Sequence, residues 1–168
     1  MNLAEQLTAL SDFHQTDVIL IDDSLFNVLT ISELVHHPGQ LLVINTELKL
    51  FAEWMNTLNL SNIIVATYDR DYRENVEIVK QLEAKKIGVL ALKESPTKRA
   101  SIESLLKTLA SLQLKKITCL FSRNKLTEFL TQFNPSEAYI WQNNKLVAEK
   151  FIGANTLLPH LDLKLIVV

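Results

Sequence analysis

The sequence predicts an α/β fold: a mostly parallel sheet with crossover helices that finishes in an antiparallel β-hairpin. Three observations carry that expectation. Strand-like apolar runs recur along the chain with amphipathic helical stretches between them, the alternation that βαβ units produce. The first run, Val18-Ile19-Leu20-Ile21, is continuously apolar and mostly β-branched, as a strand buried on both faces of a parallel sheet must be. Near the other end, two runs flank Gln142-Asn143-Asn144-Lys145, and asparagines tolerate the positive φ of tight hairpin turns. A chain of 168 residues, 48% hydrophobic and 21% charged, has room for one ordinary domain with a full core.

Taken in order, residues 1–13 are amphipathic and carry acids where a secretory signal would carry lysines, which predicts a first helix of a cytoplasmic protein. No apolar run approaches the ~20 residues of a membrane span, so no membrane partner is expected. After the first strand, 30–37 reads as a short helix stopped by Pro38-Gly39. Residues 41–44 form the second strand. A helix follows over 46–58, with Leu48, Phe51, Met55 and Leu58 three or four apart on one face. Residues 63–66 are the third strand, and 72–86 a single charged helix with a narrow stripe of Val76, Val79 and Leu82. The fourth strand spans 87–92. The helix over 97–112 buries Ile102, Leu105, Leu106 and Leu109; strand 117–121 and helix 123–133 come next. The hairpin pairs 138–141 with 146–151. From Gly153 to His160 the pattern lapses into a linker, and the apolar end 163–168 reads either as a last edge strand or as the lead into a longer protein.

The residues that could carry chemistry are few. Asp22, Asp23 and Ser24 end the first strand where an open α/β sheet puts its ligand loop. A phosphate- or nucleotide-cradling loop needs glycines for close backbone approach, and this one has none. The single Cys119 excludes an internal disulfide and, lying in a predicted strand, reads as a buried inert thiol. His14, His36, His37 and His160 lack metal-ligand spacing, so no metal site is expected. Charge is uneven. Residues 1–69 hold one lysine against nine acids, a net −8, and the remainder carries +6. Such a dipolar chain can offer a basic face to a polyanion, and Lys93, Lys98 and Arg99, with Lys85 and Lys86 nearby, are the candidate RNA contacts because cations there could neutralise phosphates.

Five βα units followed by a C-terminal hairpin resemble the class I S-adenosylmethionine (SAM)-dependent methyltransferases, a Rossmann-like three-layer sandwich. Residues 17–29, 33–60, 88–109 and 137–151, in that order and spacing, resemble the N-terminal half of the ribosomal RNA guanine-N2 methyltransferases, which carry two such domains in tandem. The resemblance implies that 1–152 is the degenerate duplicate, with 153–168 a linker or edge strand leading toward a catalytic domain. It also implies that ribosomal RNA and that domain are the partners. Three departures from active members stand out. Leu25 and Phe26 occupy the place of the glycine-rich loop, and only Asn45 or Glu47 stands for the ribose-binding acid. Lys93-Glu94-Ser95-Pro96-Thr97 replaces the Asn-Pro-Pro-aromatic segment. The resemblance therefore implies no catalytic residue and no cofactor in this domain, with SAM left to the catalytic one.

Two other readings compete. Paired acids after the first strand could hold magnesium in a phospho-receiver domain, but the third strand ends in Ala66-Thr67-Tyr68, with Asp69 displaced, and Arg123, not a lysine, is the cation that directly follows Phe121-Ser122. A sugar-phosphate-sensing domain could use Ser24, Thr46, Thr67 and Ser95 near strand C-termini, where such residues are more often helix caps.

Overall fold

The chain begins in a short helix, α1 (Leu3–Thr8), because Asn2 supplies the cap: its side-chain oxygen accepts the Glu5 N–H at 2.8 Å. Leu3 and Leu7, one turn apart, bury the same face. The computed structural model describes residues 2–10, 13–22, 25, 41–56, 62–93, 100–130, 133–153 and 161–168. The helix expected over 30–37, with His36 and His37, lies outside the described residues.

Eight strands make one sheet. They are β1 (Val18–Asp22), β2 (Leu41–Asn45), β3 (Ile63–Tyr68), β4 (Gly88–Leu92), β5 (Lys116–Phe121), β6 (Glu137–Gln142), β7 (Lys145–Glu149) and β8 (Asp162–Val167), in the spatial order β4-β3-β2-β1-β5-β8-β6-β7. Every neighbouring pair is parallel except the β6–β7 hairpin, which closes one end of the sheet. Its turn residues Asn143 and Asn144 have φ of 52° and 60°, the two left-handed positions of a type I′ turn.

The helices cover both faces. On one side α2 (Leu48–Met55), α3 (Asp69–Glu74) and α4 (Val76–Ala84) follow β2 and β3, packing Leu48, Phe51, Val79 and Leu82 against Ile19, Ile21 and Ile44. On the other, α5 (Ala100–Ser111) and α6 (Arg123–Leu130) follow β4 and β5, packing Ile102, Leu105 and Phe129 against Val18, Leu20 and Cys119. Right-handed crossovers explain the division: the chain runs outward from β1 to β4, returns to the far side of β1 as β5, and the reversal moves the helices to the opposite face. The β1/β5 boundary is thus the topological switch point.

Three expectations need correction. The helix read as continuous over 72–86 is two, starting at Asp69 and broken at Asn75 (φ −128°, ψ 44°). The Asn75 amide donates back to the Asp71 carbonyl at 3.0 Å and to the Asp71 carboxylate at 2.8 Å, offering the backbone an alternative to the helical ladder. The segment 162–167 is no edge strand: β8 lies inside the sheet between β5 and β6, with Leu163, Leu165, Ile166 and Val167 buried. Nor does Gly153 open a free linker. A Cβ there would lie 1.9 Å from the Phe133 carbonyl oxygen, and its N–H bonds to the Asn134 side chain, so only glycine fits.

Candidate functional site

A ligand of an open α/β sheet lies beyond the strand C-termini at the switch point, here the ends of β1 and β5. β1 ends at Asp22; the side chain of Asp22 and residues 23 and 24 lie outside what is described. The next described residue, Leu25, is 2% exposed and packs into the core against the same apolar layer as Ile21 and Leu48. Leucine at this position was expected to occupy cofactor space, and its side chain is directed into the protein. Across the switch point, Leu20, Asn45, Ile102, Leu105, Phe121 and Lys125 enclose a cavity of only about 10 Å³. That is roughly the smallest space that holds one water molecule. Phe121, 4% exposed, meets Phe129 edge-on at 5.9 Å and 67°, which fixes the ring that closes the crevice.

Thr46, Thr67 and Asp71 at this end of the sheet serve the fold. Thr67 at the end of β3 is 1% exposed and donates its hydroxyl to Asp71 Oδ2 at 2.5 Å. The same oxygen accepts the Leu48 N–H at 2.8 Å. Asp71 therefore caps α2 from another helix, where the residue at the cap position, Glu47, makes no side-chain bond. With Oδ1 held by Asn75, both carboxylate oxygens of Asp71 are engaged. Sequence reasoning missed this cap because the partners are 23 residues apart; the one local signal was a helix whose N-terminus carried glutamate instead of a strong capping residue. Thr46 is buried and its N–H joins the Ala66 carbonyl at 3.1 Å. Ser24 and Ser95 lie outside the described residues. Asp69 opens α3 and Arg123 opens α6, on strands separated by β2 and β1, so the residues a receiver site would need are not brought together.

Of the basic residues, Lys93 is exposed directly after β4, the edge strand of the sheet. Lys98 and Arg99 lie outside the described residues. Lys85 and Lys86 stand at the opposite end of β4, about 20 Å from Lys93 at some 3.3 Å per residue, so these two do not cluster with Lys93. Asn45 ends β2 as expected for the ribose-binding position, half-buried, and Glu47 is exposed. Cys119 is buried at the centre of β5, and desolvation pushes its thiol far above the ordinary range, the inert state its strand position predicts. Among the described residues no group of three or more His, Cys, Asp or Glu could hold a metal ion, and no helix is long and apolar enough to cross a membrane.

The opposite end of the switch-point strands is polar. Thr16 and Thr118, both buried, share a hydroxyl hydrogen bond of 3.0 Å. The Asp17 carboxylate accepts the Lys115 and Lys116 N–H groups at 3.2 and 3.0 Å, tying the start of β1 to the start of β5. Lys164, 6% exposed on β8, places its ammonium 3.3 Å from Glu137 on β6. These contacts fix strand register and leave about 20 Å³ of space among them. Comparison of the chain with protein families, with curated proteins and with solved structures yields no match; what is established is a three-layer α/β architecture with a mostly parallel eight-stranded sheet ending in an antiparallel pair.

Proposed function

We propose that this chain is a degenerate, non-catalytic methyltransferase-like domain of a ribosomal RNA guanine-N2 methyltransferase. It supports RNA substrate binding and the folding of a catalytic domain in the same protein, and leaves SAM to that domain. The observation that supports this reading is the small cavity among the described residues at the switch point: about 10 Å³ lies between Leu20, Ile102, Leu105 and Phe121, whereas a nucleoside-sized ligand needs a few hundred. A mostly parallel sheet with helices on both faces supports the scaffold half of the proposal, as does the bonding of Thr67, Asp71 and the Leu48 N–H to one another near its ligand end.

The RNA half rests on charge. The acidic first 69 residues and the basic remainder allow a salt-dependent, sequence-blind contribution from Lys93, Lys98 and Arg99. Filter binding of a structured ribosomal RNA fragment at several salt concentrations tests it. The triple variant K93E/K98E/R99E is expected to bind at least about ten-fold more weakly, with a log–log salt slope shallower by roughly two to three. Unchanged affinity and slope would overturn the RNA role and leave only support of the catalytic domain's folding.

A further inference from the structure

β7 is the outermost strand on its side of the sheet, and an outer strand is a template for another chain unless something blocks it. Among the described residues the block is one side chain. Gln6 of α1 accepts the Leu146 N–H at 2.9 Å and donates to the Asn144 carbonyl at 2.7 Å, so its amide stands where the backbone of a ninth strand would run. No other described residue is hydrogen-bonded to that edge. Because Leu146 points its N–H outward, the alternation of an antiparallel ladder turns Ala148 outward as well, while Val147 and Glu149 bond to β6.

The sequence of that edge is complementary to itself. Two copies of Lys145-Leu146-Val147-Ala148-Glu149 laid antiparallel about Val147 put Lys145 opposite Glu149 at both ends, Val147 opposite Val147, and Leu146 opposite Ala148. Lys145, Val147 and Glu149 lie on one face of the strand and are exposed, Val147 at 37%. Neither Lys145 nor Glu149 has an ion-pair partner among the described residues. In this register the outward groups of Leu146 and Ala148 pair across the two-fold axis, the isologous arrangement of a symmetric dimer. Opposite charges directly across an antiparallel pair favour it, and like charges oppose it.

We propose that the outer edge of β7 is a self-pairing surface for a second copy of this chain, and that the Gln6 amide holds it closed by occupying the Leu146 and Asn144 backbone groups. Loss of that amide joins two sheets through β7. A disulfide between Val147 positions is geometrically suited to report the register, since residues in a non-hydrogen-bonded pair approach to about 4.5 Å between Cα atoms, and the buried Cys119 does not compete.

Sedimentation velocity over a concentration series tests this with the whole chain. Gln6→Ala is expected to lower the dimer dissociation constant at least ten-fold relative to the unaltered chain, and Gln6→Glu, which keeps the side-chain length but loses the donor, to act in the same direction if the alanine variant is unstable. Adding K145E to either is expected to abolish the dimer, and adding E149K as well to restore it by exchanging the two charges. Ala148→Pro, which removes an outward N–H without touching the β6 ladder, is expected to keep the Gln6 variants monomeric. In the Gln6→Ala background, Val147→Cys is expected to form a disulfide-linked dimer on mild oxidation. Folded Gln6 variants that associate no more than the unaltered chain would overturn the proposal. So would a dimer indifferent to K145E and Ala148→Pro, which would mean that another surface or another partner uses the site.

Discussion

The two ends of the β1–β5 strand pair are built from opposite materials. At the C-terminal end, where an open α/β sheet holds its ligand, Leu20, Ile102, Leu105 and Phe121, with Asn45 and Lys125, enclose about 10 Å³ among the described residues. The N-terminal end, which no ligand of this architecture uses, carries the Thr16–Thr118 hydroxyl bond, the Asp17 carboxylate on two backbone N–H groups, and buried Lys164 beside Glu137. Polar side chains inside a sheet are costly unless paired, and here they are paired with one another across strands. Among the described residues, buried polarity at the N-terminal end sets strand register, and apolar side chains make up most of the lining of the small cavity at the other.

The sharpest way to break that contrast is to hollow out the apolar end. Phe121→Ala removes a 4%-exposed ring that packs edge-on against Phe129, and a cost of about 3–5 kcal/mol is expected in urea denaturation. A cost near zero would mean that the crevice is not packed. Next is Asp71→Ala, which takes the cap from α2 and leaves the 1%-exposed Thr67 hydroxyl without its acceptor. About 2 kcal/mol is expected, the sum of a lost cap and an unpaired buried donor. Full stability would contradict the capping role of Asp71. At the polar end, Thr16→Val and Thr118→Val should each cost about 1 kcal/mol by orphaning the partner hydroxyl. The double variant should cost less than their sum, because both polar groups are then gone. Strict additivity would contradict direct coupling of the two hydroxyls.

What could be read from the sequence was local. The strands β1 to β5 and the hairpin follow from apolar runs and the Asn143-Asn144 turn, since burial on two faces leaves its mark within five or six consecutive residues. The break at Asn75 was hidden because the stripe of Val76, Val79 and Leu82 keeps helical spacing across it, and the cause is a side chain bonding back four residues to Asp71. β8 looked like an edge strand or an exit because its neighbours β5 and β6 come from elsewhere in the chain, and an interior position is set by pairing, which sequence pattern does not record. Lys164 is the instructive case: a lysine within LKLIVV, it is buried beside Glu137, a partner 27 positions away that sequence pattern does not record. At the candidate site, the absence of glycine after β1 was legible, whereas the burial of Leu25 in the core, away from the cofactor space it was expected to occupy, was not. The basic residues read as neighbours along the chain, but a strand separates Lys85 and Lys86 from Lys93 by its own length.

The central claim is that the described part of the crevice between β1, β5 and α5 is filled. Isothermal titration of the chain with SAM measures it directly: no heat beyond dilution is expected at ligand concentrations up to about 1 mM, and a saturable curve with a dissociation constant in the micromolar range would contradict it.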